Sequence, residues 1–544
     1  MNSSRFFPGD SLDMLLLSEE EVRPLSFPGG VQINISAIPK DLARANGEEG
    51  PPRVHEPHLS IVALAPWLRG KGYKAGAIDN VFRIPANWSR AEAALKDGTP
   101  VLGISTTFLF TRDCVKRITD MARSANPDVL IVLGGLSALN QPEIMELADV
   151  VVKGRGERPL QELLAALKNG GELKEVSNIY HRSGGRWTYT YDAPAIDIDE
   201  IPSPDWDLLP VRASLRYPVE ASSGCRHHCD FCSYWDRERY AFKDAALVVG
   251  EMELARRKYG AGTIRFVDGD FTADPARAMR LCELMIARGL KLRWSCYARA
   301  DAFAGSPGLA ETMREAGCAA VFMGIESGDD GMLRAMGKDC DARTAADGVA
   351  AAKAAGLIVH CNFIVGYPGE TAQTVGRSIS FIKDTRPDLA FFGFFYPRSA
   401  ASIPRNGRLA MESAEARRLV DLAADAVISG MPGTALGTEF HLTRMMGFGL
   451  SPEEALKYLL DGKEYYQACR RADPGRQAFA ARSLLATLRR INSCARRIRG
   501  EPRGIVESLK SARRGIASRA ASYAPKLPAI RGEEPSSAPP GNCR

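Results

Sequence analysis

Residues 224–232 read GCRHHCDFC, and this stretch concentrates more reactive side chains than any other part of the chain. Its cysteines, Cys225, Cys229 and Cys232, are separated by three and then two residues, so their thiols fall on one short loop. Three thiolates are one ligand short of a tetrahedral structural zinc site, but they can bind three irons of a 4Fe–4S cluster and leave the fourth iron open. A zinc knuckle completed by His227 or His228 is the alternative.

Length and composition are those of a globular protein with several domains. The chain has 544 residues, 45% hydrophobic and 25% charged, so it is neither mainly disordered nor fibrous. No apolar run approaches the ~18 residues of a membrane span, and residues 1–13 lack the features of a secretory signal. We therefore expect a cytoplasmic location with reduced thiols, and we expect most cysteines outside the 224–232 loop to be buried hydrophobes.

Positive charge is concentrated near the C-terminus. Residues 471–544 contain 16 Lys and Arg but 5 Asp and Glu, a net +11, whereas the whole chain carries +6. Leu484, Leu488 and Ile491 form an apolar stripe on a predicted arginine-rich helix in this segment. Such a helix either binds an acidic partner or packs on the protein with its cationic face in solvent, so its partner is left open.

The N-terminal part alternates predicted strands and helices. Apolar runs typical of parallel strands occur at residues 101–105, 129–133 and 150–152. This alternation predicts an open, doubly wound, Rossmann-like α/β domain whose first strand lies at 31–35. A predicted helix at 59–69 contains Pro66, which should kink it.

A second alternating series follows, and it predicts a (βα)6 partial TIM barrel with its chemistry at the carboxyl ends of the strands. The helix after the second strand should begin with Asp274 as N-cap and Pro275 in the first helical position. We find no convincing seventh strand after Ser399. The six candidate strands are residues 218–222, 263–267, 291–297, 320–325, 358–365 and 389–396.

These patterns divide the chain into six segments. We predict an N-terminal extension (1–29), the doubly wound domain (30–170), a proline-bearing connector (171–216), the partial barrel (217–400), a helical C-terminal region (401–521) and a disordered Pro/Ser-rich tail (522–544).

Four further motifs make the chain resemble the radical S-adenosylmethionine (SAM) superfamily, whose mark is C-x3-C-x-aromatic-C after the first barrel strand. Phe231 occupies the aromatic position. The later motifs, each at the end of a predicted strand, are FVDGD (266–270), RAD (299–301), GIESG (324–328) and GYPGET (366–371). The resemblance covers about residues 215–400.

The resemblance implies that Cys225, Cys229 and Cys232 bind a 4Fe–4S cluster and that the chain uses SAM. By the same resemblance, polar and glycine residues at the strand ends bind SAM; these are Asp268, Asp270, Glu326, Ser327 and Gly366. Each carboxylate could instead cap the helix that follows it.

The N-terminal domain resembles the cobalamin-binding domain of the cobalamin-dependent class of this superfamily. The motifs are GISTT (103–107), LGGLS (133–137) and KGRGE (153–157). The residues implied to line the cofactor are Ser105, Thr106, Thr107, Gly134, Gly135, Gly154 and Gly156. No histidine lies in a D-x-H-x-x-G motif, so the sequence names no cobalt ligand, and a domain that no longer binds cobalamin is the alternative.

By resemblance, we predict a cobalamin-dependent radical SAM methyltransferase that methylates an unactivated carbon through a 5′-deoxyadenosyl radical and methylcobalamin. One alternative is cyclisation, ring rearrangement or oxidation with the same cofactors. Another is a non-enzymatic metal- or nucleic-acid-binding protein. The implied partners are a small-molecule or peptide substrate and an electron donor such as flavodoxin or ferredoxin.

Overall fold

The structure is a computed structural model. It describes residues 11–19, 25–26, 32–33, 58–82, 85–109, 111–209, 216–232, 234, 239–395, 413–437, 439, 442, 446, 451–457, 459–460 and 463. The chain forms two compact units. The first contains the described residues up to 22 and from 58 to 290, and the second contains the remainder. The predicted basic helix and tail, with Cys469, Cys494 and Cys543, lie outside the described residues.

Strands and helices are numbered along the chain. The strands are β1 (Met14–Ser18), β2 (Leu25–Ser26), β3 (Gln32–Ile33), β4 (Ala75–Asp79), β5 (Val101–Ser105), β6 (Leu130–Gly134), β7 (Val150–Val152), β8 (Ile179–Ser183), β9 (Arg186–Tyr189), β10 (Arg216–Val219), β11 (Ser222–Ser223), β12 (Ala241–Phe242), β13 (Thr263–Phe266), β14 (Arg293–Ala298), β15 (Cys318–Glu326), β16 (Ile358–Val365), β17 (Leu389–Phe394) and β18 (Ala435–Leu436). The helices are α1 (Leu59–Gly70), α2 (Pro85–Lys96), α3 (Arg112–Ala125), α4 (Leu136–Asn140), α5 (Pro142–Met145), α6 (Glu157–Asn169), α7 (Ala245–Tyr259), α8 (Pro275–Ala287), α9 (Ala300–Gly305), α10 (Leu309–Glu315), α11 (Asp330–Ala335), α12 (Ala342–Ala354), α13 (Ala372–Thr385) and α14 (Ser413–Gly430).

The first unit contains a seven-stranded sheet with the order β4-β1-β5-β6-β7-β8-β9. Its first five strands are parallel, and in chain order they run 2-1-3-4-5, as in flavodoxin-like doubly wound folds. Strand β1 is buried at every position, as a central parallel strand requires. The order reverses between β1 and β5, and this switch point is where doubly wound folds bind ligands.

Two predicted boundaries of this domain are corrected. Within the predicted N-terminal extension at 1–29, Met14–Ser18 instead belongs to this sheet, because it pairs with both β4 and β5. The connector at 171–216 contains β8 and β9, which extend the same sheet by antiparallel pairing. The strand predicted at 31–35 is not in this sheet: among its described residues, Gln32–Ile33 pairs antiparallel with Leu25–Ser26.

Helix α1 runs through Pro66 from Leu59 to Gly70. Proline has no N–H, so the carbonyl of Val62, four residues earlier, loses its helical donor. The backbone N–H of Asp205 donates to that carbonyl instead, at 3.0 Å. The carbonyl that Pro66 leaves without a helical donor is therefore the one to which the segment after β9 hydrogen-bonds.

The predicted barrel strands are all present. In the first unit, β10 pairs parallel with β13, and α8 begins as predicted, with the Asp274 carboxylate accepting from the Arg277 N–H at 2.9 Å. The second unit continues the alternation with parallel strands in the order β14-β15-β16-β17-β18.

The expectation that no seventh barrel strand follows Ser399 is wrong. Strand β18 pairs parallel with β17 through Ala435 and Leu436, and both residues are buried. Two residues are too few to show any periodicity, which is why the sequence pattern does not indicate them.

Within the part of the chain that the structure describes, no helix is both long and apolar enough to cross a membrane.

Candidate active site

The cysteine loop follows the first barrel strand through β11, which pairs antiparallel with β12 on the far side of the loop. Gly224 has φ +69°, a conformation that favours glycine, and it turns the chain from β11 into the loop. The Cys232 N–H donates to the Cys229 carbonyl at 3.0 Å, and the Tyr234 N–H donates to Cys232 Sγ at 3.4 Å. The last thiol thus accepts from one backbone donor, the Tyr234 N–H.

The chemistry of the loop fits an iron–sulfur cluster. Cys225, Cys229 and Cys232 are all partly exposed. The other described cysteines are mostly buried, as expected: Cys282, Cys296, Cys318 and Cys361 are buried, whereas Cys114 and Cys340 are partly exposed. Among the described residues, no group of three His, Cys, Asp or Glu side chains is arranged to hold a metal ion as it stands.

Asp268 supports the strand that leads into the loop. Its carboxylate is fully buried and accepts from the Ala221 N–H, at 3.1 Å, and from the Ser222 hydroxyl. Burial raises the pKa of Asp268 to about 6, although both hydrogen bonds and nearby Arg277 oppose the rise. Arg277 itself donates to the Ala221 carbonyl. Asp268 therefore binds the protein's own backbone just before the cysteines.

Asp270 contacts the loop directly. One carboxylate oxygen accepts from the Thr272 N–H at 3.0 Å and from its hydroxyl at 2.7 Å. The other lies 3.4 Å from His227 Nε2, inside the cysteine motif. Between the two aspartates, a Cβ on Gly269 would come within 2.7 Å of the Tyr234 ring, so only glycine leaves room for that ring. The FVDGD motif thus packs against the cysteine loop.

In the second unit, Glu326 ends β15 with φ +70°, an unusual conformation for a residue with a side chain. Its carboxylate lies 3.4 Å from Lys338 Nζ, which also donates to the Gly324 carbonyl. Ser327 is buried, and its hydroxyl accepts from the Asp329 N–H at 3.2 Å. Lys338 was missed by sequence reasoning because it lies in none of the motifs.

Gly366 directly follows β16 and has φ +89°, and its N–H donates to the Glu370 carboxylate. Burial raises the pKa of Glu370 to about 7, while the N–H groups of Gly366 and Tyr367 oppose the rise. Glu370 lies in the GYPGET motif but was not among the predicted site residues.

The switch point of the first sheet carries the predicted hydroxyl residues. Ser105 ends β5, and its hydroxyl lies 3.2 Å from that of Ser60 and 3.5 Å from that of Thr107. Both Ser105 and Thr107 are partly exposed. Thr106 is fully buried, and its hydroxyl donates to the Gly134 carbonyl at 2.9 Å and accepts from the Ala138 N–H at 3.0 Å. Thr106 joins neighbouring loops, whereas Ser105 and Thr107 keep part of their surface exposed.

Glycines let the neighbouring loops approach each other closely. Gly135 has φ +97°, and a Cβ there would lie 2.8 Å from both the backbone nitrogen and the hydroxyl of Thr107. Gly134 has open space around it. Gly154 has φ +76°, and Gly156 has the Leu64 side chain 3.2 Å from the position of a Cβ. All four glycines are partly exposed along this edge.

Arg155 joins the sheet edge to the start of the cysteine loop. Its guanidinium lies 2.8 Å from the Glu157 carboxylate and 2.8 Å from that of Glu220, and it donates to the Ser223 hydroxyl at 3.2 Å. Glu157 is buried, so losing Arg155 would leave a buried carboxylate without its ion-pair partner. The KGRGE motif gives Arg155 no predicted role, because two of its three partners, Glu220 and Ser223, lie 65 and 68 residues away in sequence.

The sequence matches two known families over the regions just described. Residues 54–164 match the B12 binding domain, and residues 219–382 match the Radical SAM superfamily. The fold and the cysteine loop therefore belong to a radical SAM enzyme that carries a B12-binding domain. Such enzymes require a substrate and an electron donor.

Relatives and solved structures agree with this class. An uncharacterized methyltransferase of Pyrococcus horikoshii is 29% identical over 371 residues, 65% of this chain and 78% of that protein. The anaerobic magnesium-protoporphyrin IX monomethyl ester cyclase of Rubrivivax gelatinosus is 27% identical over 299 residues, 52% of this chain and 54% of the cyclase. The radical SAM methyltransferase TsrM of Kitasatospora setae, solved with cobalamin and a 4Fe–4S cluster, has a TM-score of 0.58 at 15% identity and covers 83% of this chain and 100% of that one.

The TsrM comparison shows the fold, including the partial barrel. The two matched models show that the chain carries a radical SAM domain and a B12-binding domain. The cofactors of such an enzyme are a 4Fe–4S cluster, SAM and cobalamin. The non-enzymatic alternative and the zinc knuckle have no support in these matches.

Proposed function

We propose that this enzyme transfers a methyl group to an unactivated carbon of its substrate. The observation that carries the proposal is the presence, in one compact unit, of a 2-1-3-4-5 sheet and a three-cysteine loop after β10. Arg155 ties the two together through Glu157 and Glu220. The methyltransferase names of the Pyrococcus and Kitasatospora proteins support methyl transfer.

In this proposal, Cys225, Cys229 and Cys232 bind the cluster, and Phe231 packs beside it. Asp268 and Asp270 position the loop from β13. When bound, the cluster and SAM supply a 5′-deoxyadenosyl radical, and cobalamin supplies the methyl group. In the second unit, we propose that Glu326, Ser327 and Gly366 are the strand-end groups closest to SAM.

At the switch point, Ser105 and Thr107 offer hydroxyls to the cobalamin nucleotide tail, and the partly exposed glycines Gly134, Gly135, Gly154 and Gly156 let backbone approach it. Thr106, being buried, holds the loops in place. We propose domain boundaries to match: the cobalamin domain includes β1 and extends through β9, and the barrel begins at β10.

Isotopic labelling tests the proposal. The anaerobically reconstituted enzyme is incubated with reductant, cobalamin, methyl-labelled SAM and candidate substrates. The candidates are metabolites that the enzymes encoded by neighbouring genes would make or use. We expect the label in the product, and we expect it to depend on cobalamin. Formation of 5′-deoxyadenosine together with an unlabelled, modified product would contradict methyl transfer.

The cyclase from Rubrivivax favours a second candidate, cyclisation or oxidation with the same cofactors. The same experiment separates the two candidates, because an oxidised or cyclised product loses hydrogen without gaining the label.

We also propose a cytoplasmic location, since cluster thiolates must stay reduced. A flavodoxin or ferredoxin would supply the electron. The substrate would be a small molecule or a peptide, and the basic C-terminal segment has a partner still to be identified.

A further inference from the structure

We propose that Tyr234 is a positioning residue for the iron–sulfur cluster: its ring, held against Gly269, fixes its own N–H on Cys232 Sγ, and this hydrogen bond raises the reduction potential of the cluster. The N–H of Tyr234 donates to Cys232 Sγ at 3.4 Å. Reduction of a cluster adds a negative charge that its sulfur ligands share, so a donor aimed at one of these sulfurs favours the reduced state. The inference rests on the assignment of Cys232 as a cluster ligand.

Gly269 provides the surface on which the Tyr234 ring lies. A Cβ at position 269 would come within 2.7 Å of the ring atom Cε1, 2.9 Å of Cδ1 and 3.4 Å of Cζ. Gly269 does not have a positive φ, so alanine could adopt its backbone conformation. The reason for a glycine here is therefore the space that the ring occupies, and a methyl group would displace the ring.

The residues on either side of Gly269 hold that surface in place. The fully buried carboxylate of Asp268 accepts from the Ala221 N–H at 3.1 Å. The buried carboxylate of Asp270 accepts from the Thr272 N–H at 3.0 Å and from its hydroxyl at 2.7 Å. Because both neighbours are tied by buried hydrogen bonds, the backbone between them cannot shift freely to absorb an added methyl group, and the tyrosine ring has to move instead.

The chain around Cys232 is thus held on both sides of the thiol. Before it, the Cys232 N–H donates to the Cys229 carbonyl at 3.0 Å. After it, the contact between the Tyr234 ring and Gly269 restrains the residue whose N–H reaches the sulfur. Removing this second restraint should free the N–H to leave the sulfur while the three cysteines remain in the chain.

The test is a redox titration of the anaerobically reconstituted enzyme, without SAM or substrate, in which the reduced cluster is followed by electron paramagnetic resonance. Tyr234→Ala and Gly269→Ala should each shift the midpoint potential to a more negative value. We expect the ratio of reduced to oxidised cluster at a fixed applied potential to fall by about three-fold or more, which is roughly 28 mV at 59 mV per ten-fold change.

A double variant separates the ring contact from other effects of the two substitutions. In Gly269→Ala/Tyr234→Ala the added methyl group has no ring to displace, so its potential should equal that of Tyr234→Ala alone. Tyr234→Phe keeps the ring and should titrate like the wild type. Gly250→Ala is the matched control, because the Cβ position of Gly250 has nothing within 4 Å, and it should also titrate like the wild type.

Wild-type potentials in Tyr234→Ala and Gly269→Ala, with four irons still bound, would overturn the proposal. Shifts that simply add in the double variant would also overturn it, because the two residues would then act independently. If Gly269→Ala binds no iron, Tyr234→Ala and Tyr234→Phe still decide the matter. No substrate is present in the titration, so a failure of methyl transfer and a failure of this positioning role give different results.

Discussion

The two cofactor regions of the first unit are built in different ways. The switch-point edge is shaped by small residues and backbone: Gly135 makes room for Thr107, and the hydroxyls of Ser105 and Thr107 remain partly exposed. The cysteine loop is instead supported by buried charge, including Asp268 and Arg277. The sheet edge is thus built from small residues and close backbone approaches, whereas the strands that lead into the cysteine loop are joined by buried charged side chains.

A further buried charged pair lies just after β12. Lys243 and Glu251 form a buried ion pair at 2.8 Å, and burial raises the pKa of Glu251 although Lys243 opposes the rise. Buried pairs are costly to break because the remaining charge has no partner. We therefore expect substitutions at the sheet edge to act mainly on ligand binding, and substitutions under the loop to act on stability and cluster assembly.

The largest effect at the sheet edge is expected from Gly135→Val. Its side chain would collide with Thr107 and would also require φ +97°, so we expect loss of cobalamin retention, measured by absorbance after gel filtration. Gly98→Val is the matched control, because Gly98 has φ +91° with nothing within 4 Å of its Cβ position. Equal cobalamin content in the two variants would contradict the close-approach explanation.

Arg155→Gln should break the link between the two regions. It leaves buried Glu157 without its cation, and we expect a loss of about 3 kcal/mol in unfolding free energy. The double variant Arg155→Gln/Glu157→Gln should recover much of that loss in chemical denaturation. If the single variant were as stable as the wild type, the pair would not support this junction.

Asp268→Asn tests the buried charge under the loop. A carboxyl pKa raised from 3.8 to about 6 means that the folded state binds the proton more tightly, so its stabilising effect is complete below pH 3.8 and is lost as pH rises through 6. The free energy of unfolding should therefore fall by about 3 kcal/mol across this pH range because of Asp268.

Asparagine has no such titration, so the melting temperature of Asp268→Asn should rise relative to wild type between pH 4 and pH 7. Asp244→Asn, at the exposed N-cap of α7, is the control for removing a carboxylate outside the loop. Parallel melting curves for wild type and Asp268→Asn across this range would refute the buried-charge account.

Much of the fold follows from sequence periodicity, and the exceptions have physical causes. The barrel strands lie where apolar runs alternate with amphipathic helices, and the cap at Asp274 forms as its Asp-Pro sequence predicts. Strand β1 was missed because a short continuous apolar run carries no alternation that separates a strand from a helix. Strands β8 and β9 were missed because apolar residues do not form a clear alternating run in their segment, which lies at the end of the sheet with four of its nine strand residues exposed.

The candidate site was predictable only as far as its motifs are local. The three cysteines and the glycines at the strand ends are recognisable by spacing. The partners that hold them are not, because Asp268 binds Ser222 across 46 residues and Arg155 binds Glu220 across 65. A sequence motif identifies which groups carry the chemistry, whereas the fold determines which of them face a ligand. Asp268 and Thr106 are polar groups in such motifs that the fold buries.

The most direct test of the central claim is reductive cleavage of SAM by the anaerobically reconstituted enzyme, with iron content and 5′-deoxyadenosine measured on the same sample. We predict four irons per chain and formation of 5′-deoxyadenosine in the wild type, with both abolished in Cys225→Ala/Cys229→Ala/Cys232→Ala, on the basis that three thiolates hold a 4Fe–4S cluster. The control Cys282→Ala/Cys296→Ala alters buried cysteines outside the loop and should retain its iron. Zinc in place of iron in the wild type, or 5′-deoxyadenosine formation that survives the triple substitution, would contradict the account.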